Sequence, residues 1–142
     1  MYYFAYGSNL NLKQMKSRCP DHKVIMIYAL DNFRLVFRSV ADVEKHHNSK
    51  VYGLIFLISA KDEKNLDTFE GVPNIYKKEY FYAKIGNNDE KVLYYKMNKE
   101  GIGKPTNKYY NAIHEGYLQN DLDVSLLEEA LKYSIKNKKE PI

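Results

Sequence analysis

Two stretches of this 142-residue chain carry residues that could do chemistry. The first is Leu66-Asp67-Thr68-Phe69-Glu70-Gly71-Val72. On a helix, Glu63, Leu66 and Glu70 share a face, and apolar Leu66 and Phe69 should point inward. Glu70 would then sit at the edge of the core and at a helix C-terminus. The negative end of the helix dipole disfavours a carboxylate there, and partial burial acts in the same direction. Both effects move the carboxyl toward the range of about 6 to 7 used by tuned general bases. A solvent-facing glutamate in a last helical turn is the plainer reading, and the local pattern admits both.

The second stretch is Tyr3-Phe4-Ala5-Tyr6-Gly7-Ser8-Asn9-Leu10. Tyr2 to Tyr6 suits a half-buried strand. The strand should break at Gly7-Ser8-Asn9, where glycine permits a positive φ or a close approach. Successive N–H groups in such a corner form a ready anion or oxyanion site. An ordinary strand–turn–helix connection, capped by Asn9 or Asn11, reads equally well from the pattern alone.

Other chemistry-bearing residues are weaker. His46-His47 is flanked by polar residues and lacks further ligands nearby, so no metal site is expected. Cys19 precedes Pro20 and has no activating partner in sequence, which makes it structural. Ser8 lacks the Gly-x-Ser-x-Gly setting of a nucleophile elbow. Arg34 and Arg38 share one strand face, either as a solvated surface or as a carboxylate-binding rim.

The elements that must position these residues follow from periodicity and punctuation. Asn11 caps a short helix to Arg18, ended by Cys19-Pro20-Asp21. Lys23–Ala29 and Asn32–Val40 read as strands around Leu30-Asp31, and polar Asp42–Lys50 as a loop. Apolar Val51–Ile58 reads as a central strand. Ser59 to Asp62 caps a helix that runs to Phe69 or Glu70, with Gly71 at C′ and Pro73 beyond. Tyr76–Ile85 and Lys91–Met97 form a hairpin around Gly86-Asn87-Asn88-Asp89. Helices over Asn107–Leu118 and Ser125–Lys136 close the chain. The sum is an α+β domain with about six strands in a curled, barrel-like sheet and short helices around it.

Composition narrows the class. One domain spanning residues 1–142 is expected, with 134–142 as a solvated tail. A single cysteine excludes a disulfide framework and points to a cytoplasmic address. No apolar run reaches membrane-spanning length. The net charge of +4 can draw anionic substrates but does not argue for nucleic acid, and no nucleic-acid motif is present.

The Tyr6-Gly7-Ser8-Asn9 corner, combined with Glu70-Gly71-Val72 and a following Tyr76, resembles the γ-glutamylcyclotransferase (AIG2-like) family. Pro105-Thr106-Asn107-Lys108-Tyr109 is similar to that family's Pro-Ser-x-x-Tyr segment, with Thr106 in place of serine. Ile113, Gly116 and Leu122 extend the likeness. Tyr76 follows Glu70 one residue sooner than in some members. The resemblance implies a small mixed barrel and a γ-glutamyl small-molecule substrate. It implies Glu70 as the catalytic acid/base, and a substrate loop over Tyr3, Phe4, Ala5, Tyr6, Gly7 and Ser8 together with Asn9. Tyr76 and Tyr109 would help hold the glutamyl chain. No cofactor, metal, nucleic acid or membrane partner is implied, and the protein would be a monomer or homodimer. A binding module holding an anionic small molecule in the Tyr6–Asn9 loop, without catalysis, is the competing reading.

Overall fold

The computed structural model describes residues 1–140. Five strands form one mixed sheet in the order β2-β3-β1-β5-β4. They are β1 (Tyr2–Ala5), β2 (Lys23–Arg38), β3 (Val40–Leu57), β4 (Tyr76–Ile85) and β5 (Asn88–Met97). β1 is the hinge of the arrangement. It runs antiparallel to the end of β3 and parallel to β5, so the opening segment lies between two hairpins. The edge strands β2 and β4 do not pair, so the sheet is not closed. It is nevertheless curled, because Tyr28 of β2 stacks on Phe81 of β4 at 5.4 Å between ring centres. Phe4 meets both rings edge-on, as expected for aromatic pairs that avoid a face-to-face sandwich.

Among the described residues the α-helices are α1 (Leu12–Arg18), α2 (Ala60–Phe69), α3 (Asn107–Gln119) and α4 (Val124–Lys136). Their starts are the ones their side chains dictate. Asn11 caps α1 through Gln14 N–H, and Ser59 with Asp62 forms a reciprocal capping box on α2. Thr106 caps α3 through the N–H of Tyr109 at 3.2 Å. Gly71, with φ of 65°, takes the left-handed C′ position after Glu70, which ends α2 where the sequence indicates.

Four expectations need correction: Phe69, expected to point inward with Leu66, is 59% exposed, and the other three concern the strands. Asp42–Lys50 is not a loop but part of the 18-residue strand β3. Its charged residues fooled the reading because they are matched across the hairpin, as in Arg34 opposite Glu44 and Asp31 opposite Lys50. The two strands expected between residues 23 and 40 are one, with the break at Leu30-Asp31 reduced to an irregularity at Asn32, which has φ of 61°. The turn between β4 and β5 is only Gly86-Asn87, so β5 starts earlier than Lys91. Among the described residues there are thus five strands rather than about six.

Part of the expected tail is integrated. Ser134 is buried within α4, and Lys139 exchanges two backbone hydrogen bonds with Ile102. Residues 141 and 142 lie outside the described residues. Among the described residues no helix is long and apolar enough to cross a membrane.

Candidate active site

β1 delivers the Tyr6–Asn9 corner to the top of the sheet, where a short 3-10 turn over Ser8–Leu10 begins. α3 holds that turn down. Asn120 donates to the carbonyl of Leu10 at 2.9 Å, and Asn11 donates to the carbonyl of Ala112 at 3.1 Å. Gly7 has φ of −122°, so it is not there for a left-handed turn. It is there for space, because a Cβ on Gly7 would stand 3.1 Å from the Cβ of Ala41.

The corner forms one wall of a cleft of about 220 Å³. Tyr3, Tyr6, Tyr76, Tyr95 and Tyr109 line it together with Gly7, Ser8, Asn9 and Glu70. The two stretches singled out in the sequence therefore meet in space. Phe4 and Ala5 do not line the cleft. Strand alternation turns the Phe4 side chain to the opposite face, against Tyr28 and Phe81, and Ala5 is buried against β3.

Glu70 is the C-cap of α2 and is partly buried. Burial lifts its carboxyl to about 7, and the nearby positive charge of Arg18 opposes that rise. Among the described residues no side-chain hydrogen bond or ion pair engages this carboxylate. The N–H groups of Gly7, Ser8 and Asn9 likewise meet no acceptor among the described residues.

The tyrosine hydroxyls are sorted into donors and acceptors by their protein partners. The Tyr76 hydroxyl donates to the Ala41 carbonyl at 2.6 Å, and that of Tyr6 donates to the Tyr95 carbonyl at 2.6 Å. The Tyr95 hydroxyl donates to Asp67 at 2.7 Å. These three have engaged their protons and can only accept further bonds. Tyr109 accepts from the Ala41 N–H at 3.0 Å, and Tyr3 accepts from the Asn9 amide at 2.9 Å. Their own protons remain free to donate into the cleft. Burial raises all five phenols, that of Tyr109 to about 12, so they act as neutral hydroxyls.

Ala41 is held from behind by an ion network. The fully buried Asp42 carboxylate accepts from Arg38 at 2.8 Å, Lys96 at 2.7 Å and the Met97 N–H at 3.0 Å. Arg34 and Arg38 also pair with Glu44. The rim role considered for these arginines is therefore not available, since their carboxylate partners are internal. Cys19 is buried, and burial pushes its thiol up to about 12, which fits an inert packing role. His46 and His47 are exposed, and no metal-ligating cluster exists among the described residues.

Sequence reasoning missed Arg18, Tyr95 and the Val40–Ala41 wall. Arg18 ends a short helix to which the sequence assigned no part in the site. Ala41 contributes through its backbone, which no side-chain pattern reveals.

Comparison with known proteins bears on the fold and the family. A structure described as a gamma-glutamyl cyclotransferase superposes with a TM-score of 0.79 at 22% identity, covering 92% of this chain and 85% of that one. A Homo sapiens structure solved as an uncharacterized protein gives a TM-score of 0.74 at 23% identity, covering 99% of this chain and 88% of that one. YkqA from Bacillus subtilis gives 0.72 at 20% identity, covering 99% of this chain and 56% of that one. At these identities the likeness is one of fold. No curated protein matches by sequence. The family described as gamma-glutamyl cyclotransferase, AIG2-like, matches residues 3–119, and the chain belongs to that family.

Proposed function

We propose that the protein is a cofactor-independent γ-glutamyl cyclotransferase that releases 5-oxoproline and a free amine from a γ-glutamyl amine or γ-glutamyl amino acid. The observation that carries this reading is Glu70: a carboxyl lifted to about 7, without a protein partner, facing the same cleft as three unengaged N–H groups.

The reaction is intramolecular. The Glu70 carboxylate takes a proton from the substrate's α-amino group. The freed lone pair attacks the γ-carbonyl carbon, and a tetrahedral oxyanion forms as the ring closes. The N–H groups of Gly7, Ser8 and Asn9 are suited to receive that oxyanion or the glutamyl carboxylate. Tyr3 and Tyr109 supply hydroxyl donors, and Tyr6 and Tyr76 supply acceptors for the α-ammonium group. A cleft this narrow keeps the glutamyl chain folded, which makes attack near-unimolecular. The intermediate collapses with loss of the C–N bond: Glu70 returns its proton to the departing amine and then takes the second proton from the ring nitrogen and passes it to the same amine, so that a neutral lactam and an ammonium ion leave. No water and no cofactor enter the balance.

The experiment is incubation with a panel of γ-glutamyl amines and amino acids, with 5-oxoproline read by mass spectrometry. Product from at least one member supports the reading. Ligand-induced stabilisation without product, equally strong in Glu70→Gln, would replace it with a binding module.

A further inference from the structure

The cleft changes character from its floor to its mouth. Inside, Tyr3, Tyr6, Tyr76 and Tyr95 are buried and Tyr109 is half-buried. At the mouth stand Phe69 and Ile75, 59% and 55% exposed, beside Arg18. The Arg18 guanidinium lies over the Phe69 ring, with its central carbon 4.6 Å from the ring centre. One edge is fixed, because Nη1 donates to the buried Asn9 side chain at 2.8 Å. Its Nε and Nη2 donors have no partner among the described residues, and no carboxylate there lies within ion-pair distance. A cation fixed at two points, with Glu70 nearby but beyond ion-pair distance, faces the site. The other well-held arginines, Arg34 and Arg38, are all matched to carboxylates.

The reaction proposed above fixes which half of the substrate meets this cation. The α-amine must reach Glu70 and the γ-carbonyl the inner N–H groups, so the glutamyl half fills the inner cleft. The departing half is left at the mouth. We infer that Arg18, Phe69 and Ile75 select the leaving amine: Arg18 pairs with a carboxylate on it, and the two apolar side chains cover a bulky apolar side chain. The preferred substrates are then γ-glutamyl dipeptides ending in a large apolar residue, over γ-glutamyl amines without a carboxylate. Arg guanidinium suits this task, since its planar fork binds a carboxylate bidentately while its face stacks on an aromatic ring. This assignment rests on the cyclotransferase reading for its orientation, and the test separates the two.

The probes are γ-glutamyl-phenylalanine and γ-glutamyl-phenethylamine, which differ only in the carboxylate of the departing half. Turnover is read as the ratio of their kcat/KM values in wild type, Arg18→Gln and Arg18→Lys. Binding is read by calorimetry in the Glu70→Gln protein, with and without Arg18→Gln. Wild type should prefer the acid by roughly ten- to a hundredfold, the size of one charge-assisted hydrogen bond. Arg18→Gln should bring the ratio close to one, and Arg18→Lys should keep part of it. Any effect of Arg18 on Glu70 touches both probes alike and cancels in the ratio. A ratio unchanged by Arg18→Gln overturns the assignment, whether or not both probes lose turnover equally. If the binding preference holds while neither probe yields 5-oxoproline, the selection by Arg18 stands and the cyclotransferase reading falls.

Discussion

Tyr76 and Tyr109 bind opposite polar groups of the same residue. Tyr76 donates to the carbonyl of Ala41, and Tyr109 accepts from its N–H. The two phenols are thereby oriented alike but left with different capacities: Tyr109 keeps a free proton, whereas Tyr76 keeps only lone pairs. One backbone residue on β3 thus sets the donor and acceptor pattern of one side of the cleft.

Replacing either phenol by Phe strands a polar group of Ala41, so each variant should lose about 1–3 kcal/mol in urea unfolding. Their kinetics should differ. Tyr109→Phe removes a donor aimed into the cleft and should lower kcat/KM by roughly tenfold or more. Tyr76→Phe should act more on KM, through a lost acceptor. Equal stabilities for wild type and both variants would contradict the geometry at Ala41.

Asp42 should dominate local stability. Its carboxylate is fully buried with Arg38 and Lys96 around it. Asp42→Ala leaves Lys96 without a carboxylate and Arg38 with Glu44 alone, and breaking a buried pair costs about 3–5 kcal/mol. The urea midpoint should fall at constant slope. A variant within about 1 kcal/mol of wild type would mean that the network relaxes to water.

The pH dependence follows from Glu70. Only the ionised carboxylate accepts a proton, so kcat/KM should rise with pH through a midpoint near 7. Arg18 holds the midpoint down, and Arg18→Gln should move it to higher pH. Stability runs in the opposite sense. An unfolded glutamate ionises near about 4.3, so between there and 7 the folded state binds the extra proton and loses stability as pH rises. Glu70→Gln escapes that loss, and its stability relative to wild type should be greater at pH 8 than at pH 4. A flat difference across that range would argue against the raised carboxyl.

Gly7 tests the role of close approach. A Cβ there meets Ala41 at 3.1 Å, so Gly7→Ala must push the corner off the cleft wall. Displacing the N–H groups by a fraction of an ångström should cost up to about a hundredfold in kcat/KM. Thermal unfolding should move much less than the rate does. An unimpaired rate would show that these N–H groups do not need that position.

What could be read from sequence was what is local. Gly71 as the C′ residue fixed the end of α2, and with it the placement of Glu70. The aromatic strand ending in Gly7-Ser8-Asn9 also gave its own boundary. Asp42–Lys50 misled because a strand held by Arg34–Glu44 and Arg38–Asp42 pairs is as polar as a loop. Its partners lie across a hairpin, beyond any local pattern. Arg18 was invisible for a related reason. The 3-10 turn and α2 bring Asn9 and Phe69 to it, and only that meeting turns a helix-end arginine into part of a cleft.

The central claim is that Glu70 moves the proton that closes the ring. The direct test is the initial rate of 5-oxoproline release from the best substrate by wild type and Glu70→Gln, at a pH above 7, with thermal unfolding of both. The account predicts product from wild type and a loss of at least about a hundredfold in the folded Gln variant, the upper range of general acid–base contributions being about 10⁴. A folded Glu70→Gln protein that turns over at the wild-type rate would contradict it.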